Sequence, residues 1–383
     1  MTTVPSIAIV GAGPGGLMLA RLLHLQGLSC TVFERDRHRD ERPQGGTLDL
    51  HAGSGQHALT RAGLREPFLA VARHEDQGMR LIDHHGTVLM DMPADGTGDR
   101  PEVDRTALRD LLLDALPTTT VRWGQSVQAL AQQHDGRWQL QTGAGNSGPF
   151  DLVVGADGAW SRIRPLLSPY LPQYSGLTFI EFGIDDVDRA HPALATLVGH
   201  GKAHVEGLGM ALIIQRNGNA HLRGYAVFRV PEDWAPARFD TARPQQMRQA
   251  LRETFSGYAD AVRALFDASN DHFAIRPIHA LPVGHCWNPR SGLTLLGDAA
   301  HVMSPFGGEG ANNALLDAAE LAHCLQAAPR WQDAVMDYER RMFVRTTASA
   351  ALASEGAATF LSHDGVAQSL RDHLAHHAPA HSA

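Results

Sequence analysis

The chain has 383 residues, a length suited to one large or two closely joined domains rather than a small binding module. Its 33 basic and 41 acidic side chains leave a formal charge of −8, which argues against a nucleic-acid or anionic membrane surface as main partner. Hydrophobic content of 43% is globular, and the 38 glycines, against about 27 at average usage, are too few and too aperiodic for collagen or a linker.

Cys30, Cys286 and Cys324 are odd in number and far apart, so the sequence offers no disulfide framework and no paired-cysteine metal site, and fits a reducing compartment. No apolar run approaches the ~18 residues of a membrane span, and the first residues carry no basic, signal-like segment. A cytoplasmic monomer acting on a small molecule, without nucleic-acid, membrane or metal partners, is expected.

Residues 6–10, Ser-Ile-Ala-Ile-Val, read as a buried strand. The strand runs into 11–16, Gly-Ala-Gly-Pro-Gly-Gly, which sets Gly11, Gly13 and Gly16 at G-x-G-x-x-G spacing. Apolar positions at Leu17, Ala20, Leu23 and Leu25 predict a helix ending near Gly27, and a second strand at 29–33 is closed by Glu34. Each part has its own job. Gly11 permits the tight turn, Gly13 lets a pyrophosphate approach the backbone, and Gly16 allows helix and strand to pack closely; the helix N-terminus offers unpaired N–H groups, and Glu34 stands where an acid takes ribose hydroxyls. The order implies a dinucleotide and leaves NAD or FAD open.

Two later glycine clusters bear on that choice. Residues 152–158, Leu-Val-Val-Gly-Ala-Asp-Gly, form an apolar strand ending in Gly-x-Asp-Gly, followed by Ser161 and Arg162. Residues 293–301 run Leu-Thr-Leu-Leu-Gly-Asp-Ala-Ala-His, and Pro305, Phe306, Gly307, Gly308, Glu309, Gly310, Ala311 and Asn312 then open onto a helix. Together the three motifs are G-x-G-x-x-G, G-A-D-G-x-x-S-x-x-R and G-D-A-A-H…P-x-x-G-x-G. The set spans most of the chain and resembles the single-component, FAD-dependent aromatic hydroxylases of the p-hydroxybenzoate hydroxylase type.

That resemblance implies an α/β fold: a Rossmann-like FAD-binding domain, an antiparallel β-sheet substrate domain and a C-terminal helix. It implies tightly but non-covalently bound FAD, NADPH as transient reductant, and O₂ as the source of one inserted oxygen atom through a C4a-hydroperoxyflavin. Asp298 is expected to bind a ribityl or ribose hydroxyl by a charge-assisted hydrogen bond, with a helix N-cap as its bland alternative. Asp157 is a second acidic contact, or a turn residue. Gly308, Gly310, Ala311 and Asn312 are expected to hold the flavin through N–H groups at a helix N-terminus, with Pro305, Phe306 and Gly307 toward the substrate. His301 reads as a packed helix-start residue rather than a base.

A narrower likeness lies at Arg42 and 45–51, Gly-Gly-Thr-Leu-Asp-Leu-His, which resembles the tetracycline-inactivating flavin monooxygenases. The resemblance implies an FAD contact for Asp49 and an NADPH contact for Arg42, although Arg35, Arg37 and Arg39 make this stretch basic in any case. Residues 101–109, Pro-Glu-Val-Asp-Arg-Thr-Ala-Leu-Arg, resemble the same enzymes and carry an FAD contact over to Arg105; Arg109, one turn on, reads equally as a structural ion pair. The substrate-facing segments diverge. Glu181 stands where those enzymes carry a glutamine and Arg223 where a substrate-contacting histidine would fall, so polar specificity should be reordered. The expected activity is oxygen insertion into tetracycline-type polyketides. Alternatives are hydroxylation of another phenolic molecule, or sequestration of such ligands without turnover; a halogenase is disfavoured because the six tryptophans never form W-x-W.

Residues ~170–280 alternate apolar and polar positions around a helical stretch at 247–266, which predicts an antiparallel sheet with one face over the flavin, joined by 78–91. The FAD-binding domain is then expected at 1–74, 101–169 and 281–330, and the substrate domain at 75–100 and 170–280. Residues 331–383 are left for a C-terminal helix and a polar tail, in which His373, His376, His377 and His381 read as a frayed terminus rather than a metal site.

Overall fold

The computed structural model describes residues 4–42, 45–94 and 99–361; the histidine-rich tail lies outside the described residues. The chain divides into two compact units, each discontinuous in sequence.

The first unit comprises Met1–Ala72, Arg105–Gln173 and His279–Ser354. Its parallel sheet has the strand order Leu293–Leu295, Leu152–Gly155, Ile7–Val10, Cys30–Phe33, Val121–Arg122. Every residue of Ile7–Val10 is buried, as a parallel strand covered on both faces requires. Helix Pro14–Leu25 starts directly after the first glycine loop with proline at its first position, where a missing N–H costs nothing. Its apolar residues pack against helix Glu309–Ala327. An antiparallel three-stranded sheet, Val127–Gln132, Trp138–Thr142 and Gly145–Phe150, is attached to this unit.

One buried charge cluster joins the later elements of this unit. Asp317 is fully buried and accepts from the Gly297 N–H at 2.8 Å, from His301 Nε2 at 2.6 Å and from Arg345 at 2.8 Å. Burial alone would push the Asp317 carboxyl up, but His301 and Arg345 together hold it below the usual aspartate range. Arg345, on the long helix Trp331–Thr359, also donates to Asn313 at 2.6 Å and Glu320 at 2.7 Å. The turn at Gly297 is thereby tied to two helices through one carboxylate.

The second unit comprises Arg73–Asp104, Tyr174–Ile278 and Glu355–Ala383. Its seven-stranded sheet runs Phe273–Ala280, Gln173–Ile184, His221–Arg229, Met210–Asn217, Lys202–Gly207, Met79–Asp83, Val88–Met92. The segment at 78–91 therefore enters this sheet, but Met79–Asp83 pairs with Lys202–Gly207 in parallel, so the sheet is mixed rather than purely antiparallel. The physical reason is connectivity: more than a hundred residues separate these two strands, whereas antiparallel neighbours can be joined by a tight hairpin. The helical stretch expected at 247–266 is two helices, Pro244–Thr254 and Asp260–Asp267. The break holds Gly257, and the Tyr258 hydroxyl there reaches the carbonyls of Gly207 at 2.5 Å and Met210 at 2.7 Å. One face of the sheet, with Ile180, Phe182, Ile184, Leu212, Ile214 and Phe228, packs on Met247, Leu251, Phe255, Leu265 and Phe266 from these helices.

Among the described residues no helix is long and apolar enough to cross a membrane. The Asp317 cluster yields a stability prediction. Arg345→Met leaves a fully buried carboxylate with one cationic partner fewer and should cost about 3–5 kcal/mol in urea unfolding. A loss under about 1 kcal/mol would show that the cluster is not what anchors the long helix.

Candidate functional site

Two glycine loops of the first unit meet backbone to backbone. Gly11 stands at φ +111°, and a Cβ there would lie 2.3 Å from the Ala156 carbonyl oxygen. A Cβ on Gly16 would lie 2.2 Å from the carbonyl oxygen of Gly11. Both glycines are therefore required by the chain's own packing. Gly13 is different: its backbone is extended, open to any residue, and nothing among the described residues lies within 4 Å of a Cβ built there. Open space directly before a helix N-terminus is where a pyrophosphate fits.

The floor of this loop is held from both sides. Glu34, almost fully buried, accepts from the Ala12 N–H at 2.6 Å and the Asp36 N–H at 2.9 Å. Arg109, also buried, donates to the Ala12 carbonyl at 3.3 Å, to the Arg39 carbonyl at 2.8 Å and to Asp36 at 3.3 Å. Arg109 is thus a structural tie. Arg42, about half exposed, donates to Asp36 at 2.9 Å, so both arginines converge on one carboxylate. Arg105 lies beside the other half of its motif: its N–H donates to the Gly46 carbonyl at 3.1 Å, and its side chain passes Gly45.

Asp157 follows the second parallel strand of the motif set. One carboxylate oxygen accepts the Arg162 N–H at 2.8 Å, while Oδ1 is buried without a hydrogen-bond partner among the described residues. Burial pushes this carboxyl up. A buried acceptor without a protein donor is the kind of group a bound ligand satisfies. Asp298 is exposed and opens helix Asp298–His301, whose N-cap is Gly297 and not the aspartate itself. Arg164, nearly fully buried, joins these two turns by donating to the Ala299 carbonyl at 3.0 Å and the Ala159 carbonyl at 2.6 Å. Its only sequence signal was the last position of G-A-D-G-x-x-S-x-x-R. His301 is buried and packed against Asp317, as a helix-start residue.

Gly307 and Gly308 turn the chain into helix Glu309–Ala327 with φ of +105° and +70°. Asp49 stands against this turn, its Oδ1 3.0 Å from where a Gly308 Cβ would be. Asn312 is fully buried, and its side chain is spent within the chain. Its oxygen accepts from the N–H groups of His51 at 2.9 Å and Gly55 at 3.2 Å, and its amide donates to the carbonyls of Asp49 at 2.9 Å and Gly308 at 3.1 Å. Asn312 positions the turn, and the N–H groups of 309–311 in the first turn of the helix have no intrahelical acceptor. Pro305 and Gly307 are exposed and Phe306 half-buried on the same loop. His51, which the sequence motif contains but does not explain, sits with Nε2 3.4 Å from Asp49 and Nδ1 3.3 Å from Glu309.

In the second unit Glu181 and Arg223 are brought together. Glu181 accepts from Arg223 through one oxygen and from Arg276 through the other, the latter at 2.9 Å. Tyr225 lies directly opposite Glu181 in the strand register, and its ring centroid is 5.8 Å from that of Phe179. These side chains alternate with Ile180 and Phe182 and so stand on the sheet face away from the helix-covered core. Arg276 carried no motif, and only the neighbouring position of its strand in the sheet reveals it.

The first unit's residues fit a flavin dinucleotide: an open position at Gly13, an unsatisfied buried acceptor at Asp157, an exposed carboxylate at Asp298, and helix-start N–H groups past Gly308. The family model described as FAD binding domain matches residues 4–341. The monooxygenase penA of Penicillium thymicola is 31% identical, with 87% of each chain covered. The 6-hydroxynicotinate 3-monooxygenase of Pseudomonas fluorescens is 28% identical, covering 85% of this chain and 84% of that protein. Among solved structures, tetracycline destructase Tet(51) matches with a TM-score of 0.73 at 22% identity over 98% of this chain and 95% of that one, a likeness of fold.

Two substitutions separate a site glycine from a structural one. Gly13→Val should keep stability within about 0.5 kcal/mol yet purify without flavin, read as absorbance per chain. Gly16→Val should lose stability by about 1–3 kcal/mol or more through overpacking. A yellow, fully loaded Gly13→Val protein would show that the open space is not the phosphate site.

Proposed function

Because the chain belongs to the FAD binding domain family and is an FAD-dependent monooxygenase of the aromatic hydroxylase type, we propose that it uses NADPH and O₂ to insert one oxygen atom into an electron-rich phenol or enol bearing an anionic group. In this reading the first unit carries FAD and the second recognises the substrate. Bound FAD accepts a hydride and activates O₂; the chain's residues bind, orient and exclude water.

Gly13 and the N-terminus of helix Pro14–Leu25 receive the pyrophosphate, with Glu34 and Arg109 keeping the Ala12 peptide rigid beneath it. Glu34 and Asp298 take ribose or ribityl hydroxyls, and Asp157 Oδ1 gains the partner it lacks among the described residues. The N–H groups of 309–311, in the first turn of the helix, stabilise negative charge that develops on reduction. Arg42 adds positive charge for the 2′-phosphate of NADPH, and Arg105 stands beside the Gly45–Gly46 backbone as a second flavin contact. No side chain serves as nucleophile.

The observation that carries the substrate class is the Glu181 cluster. Both Glu181 oxygens are already engaged by arginines, so the acid is a holder of two guanidinium groups rather than a free acceptor. Two cations around one anion leave a net positive patch beside the Phe179–Tyr225 rings, which suits an aromatic molecule with an ionised oxygen. A tetracycline-type polyketide, with its acidic enols, is the second reading, favoured by the Gly-Gly-Thr-Leu-Asp-Leu-His segment at 45–51.

The test is NADPH consumption under ¹⁸O₂ with mass spectrometry across hydroxyaryl carboxylates, their amides and tetracyclines. A product heavier by one labelled oxygen is expected; hydrogen peroxide as the only product with every compound would overturn the reading. Arg276→Gln, at a half-exposed position, should raise KM for the anionic substrate about 10-fold, one charge-assisted hydrogen bond, while kcat changes little.

A further inference from the structure

His51 occupies a place that neither the motifs nor the proposed chemistry use. Its imidazole bridges two segments distant in sequence: Nε2 lies 3.4 Å from Asp49 Oδ2 at the end of strand Thr47–Asp49, and Nδ1 lies 3.3 Å from Glu309 Oε1 at the start of helix Glu309–Ala327. Each ring nitrogen faces a carboxylate, and a carboxylate can only accept. Both nitrogens must then donate, which a neutral imidazole cannot do and an imidazolium can. The side chain is mostly buried, so the pairings are little screened.

The surrounding hydrogen bonds fix the segments that carry these groups. Asn312 holds the His51 N–H, the Asp49 carbonyl and the Gly308 carbonyl at once, pinning both segments at hydrogen-bond distance. Asp49 also presses on the left-handed turn at Gly308, with Oδ1 3.0 Å from a Cβ position there. Remove the positive charge, and Asp49 and Glu309 become two anions facing one another across the entrance to the helix.

We propose that His51 is a positioning residue for FAD: its imidazolium, clamped between Asp49 and Glu309, holds the 307–310 turn in the shape that retains the cofactor. This rests on the FAD reading of the first unit and adds a dependence on pH. Burial alone would lower the imidazole, but Asp49 and Glu309, the charged groups acting on it, outweigh burial and raise it to about 9. The sign follows from the raised value. The clamp is complete below the ordinary histidine range near 6.5 and is lost as pH rises through about 9.

The experiment reads FAD release from the holoenzyme by flavin fluorescence, from about pH 7 to about pH 10, with no substrate present. Wild type should hold FAD evenly at the lower end and release it roughly 10-fold more readily at the upper end, with a midpoint near 9. His51→Gln should bind about 10-fold more weakly at pH 7 and show no such midpoint, because a neutral amide cannot supply the charge. Glu309→Gln removes one of the two anions, so its midpoint should move to lower pH. A purely structural histidine would weaken binding without moving that midpoint. Retention by wild type that is flat across the range, or a Glu309→Gln midpoint equal to that of wild type, overturns the proposal, and the second measurement decides even where His51→Gln does not fold. Wild-type protein that holds no FAD at pH 7 overturns the cofactor reading itself, a result distinguishable from the others.

Discussion

The close approach of the Gly11 and Ala156 backbones is the constraint on which the first unit turns. Adjacent parallel strands, Ile7–Val10 and Leu152–Gly155, end at the same edge of the sheet, and the loops that leave them must share the space above it. With a Cβ position 2.3 Å from a carbonyl oxygen and φ at +111°, only glycine satisfies both sterics and dihedral at position 11. Gly16, five residues on, repeats the steric demand alone, its Cβ position lying 2.2 Å from the Gly11 carbonyl oxygen. Because these two positions are filled by backbone, the one left open, Gly13, lies directly before the helix N-terminus.

Around that loop the charged residues divide into those that hold and those that face outward. Arg109 and Asp317 are buried and met by backbone groups and by opposite charge. Such pairing is what makes their burial tolerable, since an unpaired charge in the interior would be strongly destabilising. Asp298 stays exposed, and Asp157 keeps one oxygen without a partner among the described residues. A rigid frame of satisfied polar groups carrying a few unsatisfied ones is how a fold reserves bonds for a ligand.

In the proposed reading the second unit applies the same logic to specificity. A glutamate and an arginine at single positions look like two independent ligand contacts. Paired on one sheet face and joined by Arg276, they become a unit in which the acid orients the cations. Charge-assisted pairs of this kind favour one ligand charge and penalise its neutral analogue, whatever the ligand's ring system.

Much of the architecture was legible in the sequence because it depends on local chemistry. Glycine spacing, the apolar runs before each loop, Glu34 and the three motifs determined a parallel nucleotide-binding sheet and an FAD-type site, since tight turns and helix starts are properties of contiguous residues. The sequence also carried the break between regular elements only coarsely: one helix at 247–266 became two, because Tyr258 is held by carbonyls of distant strands. Only tertiary structure decided that Asn312 is a clamp, that Arg109 is a tie, that Met79–Asp83 enters its sheet in parallel, and that His51 lies between Asp49 and Glu309. These facts join residues tens to hundreds of positions apart, and a side chain's partners, unlike its propensity, exist only once the chain has folded.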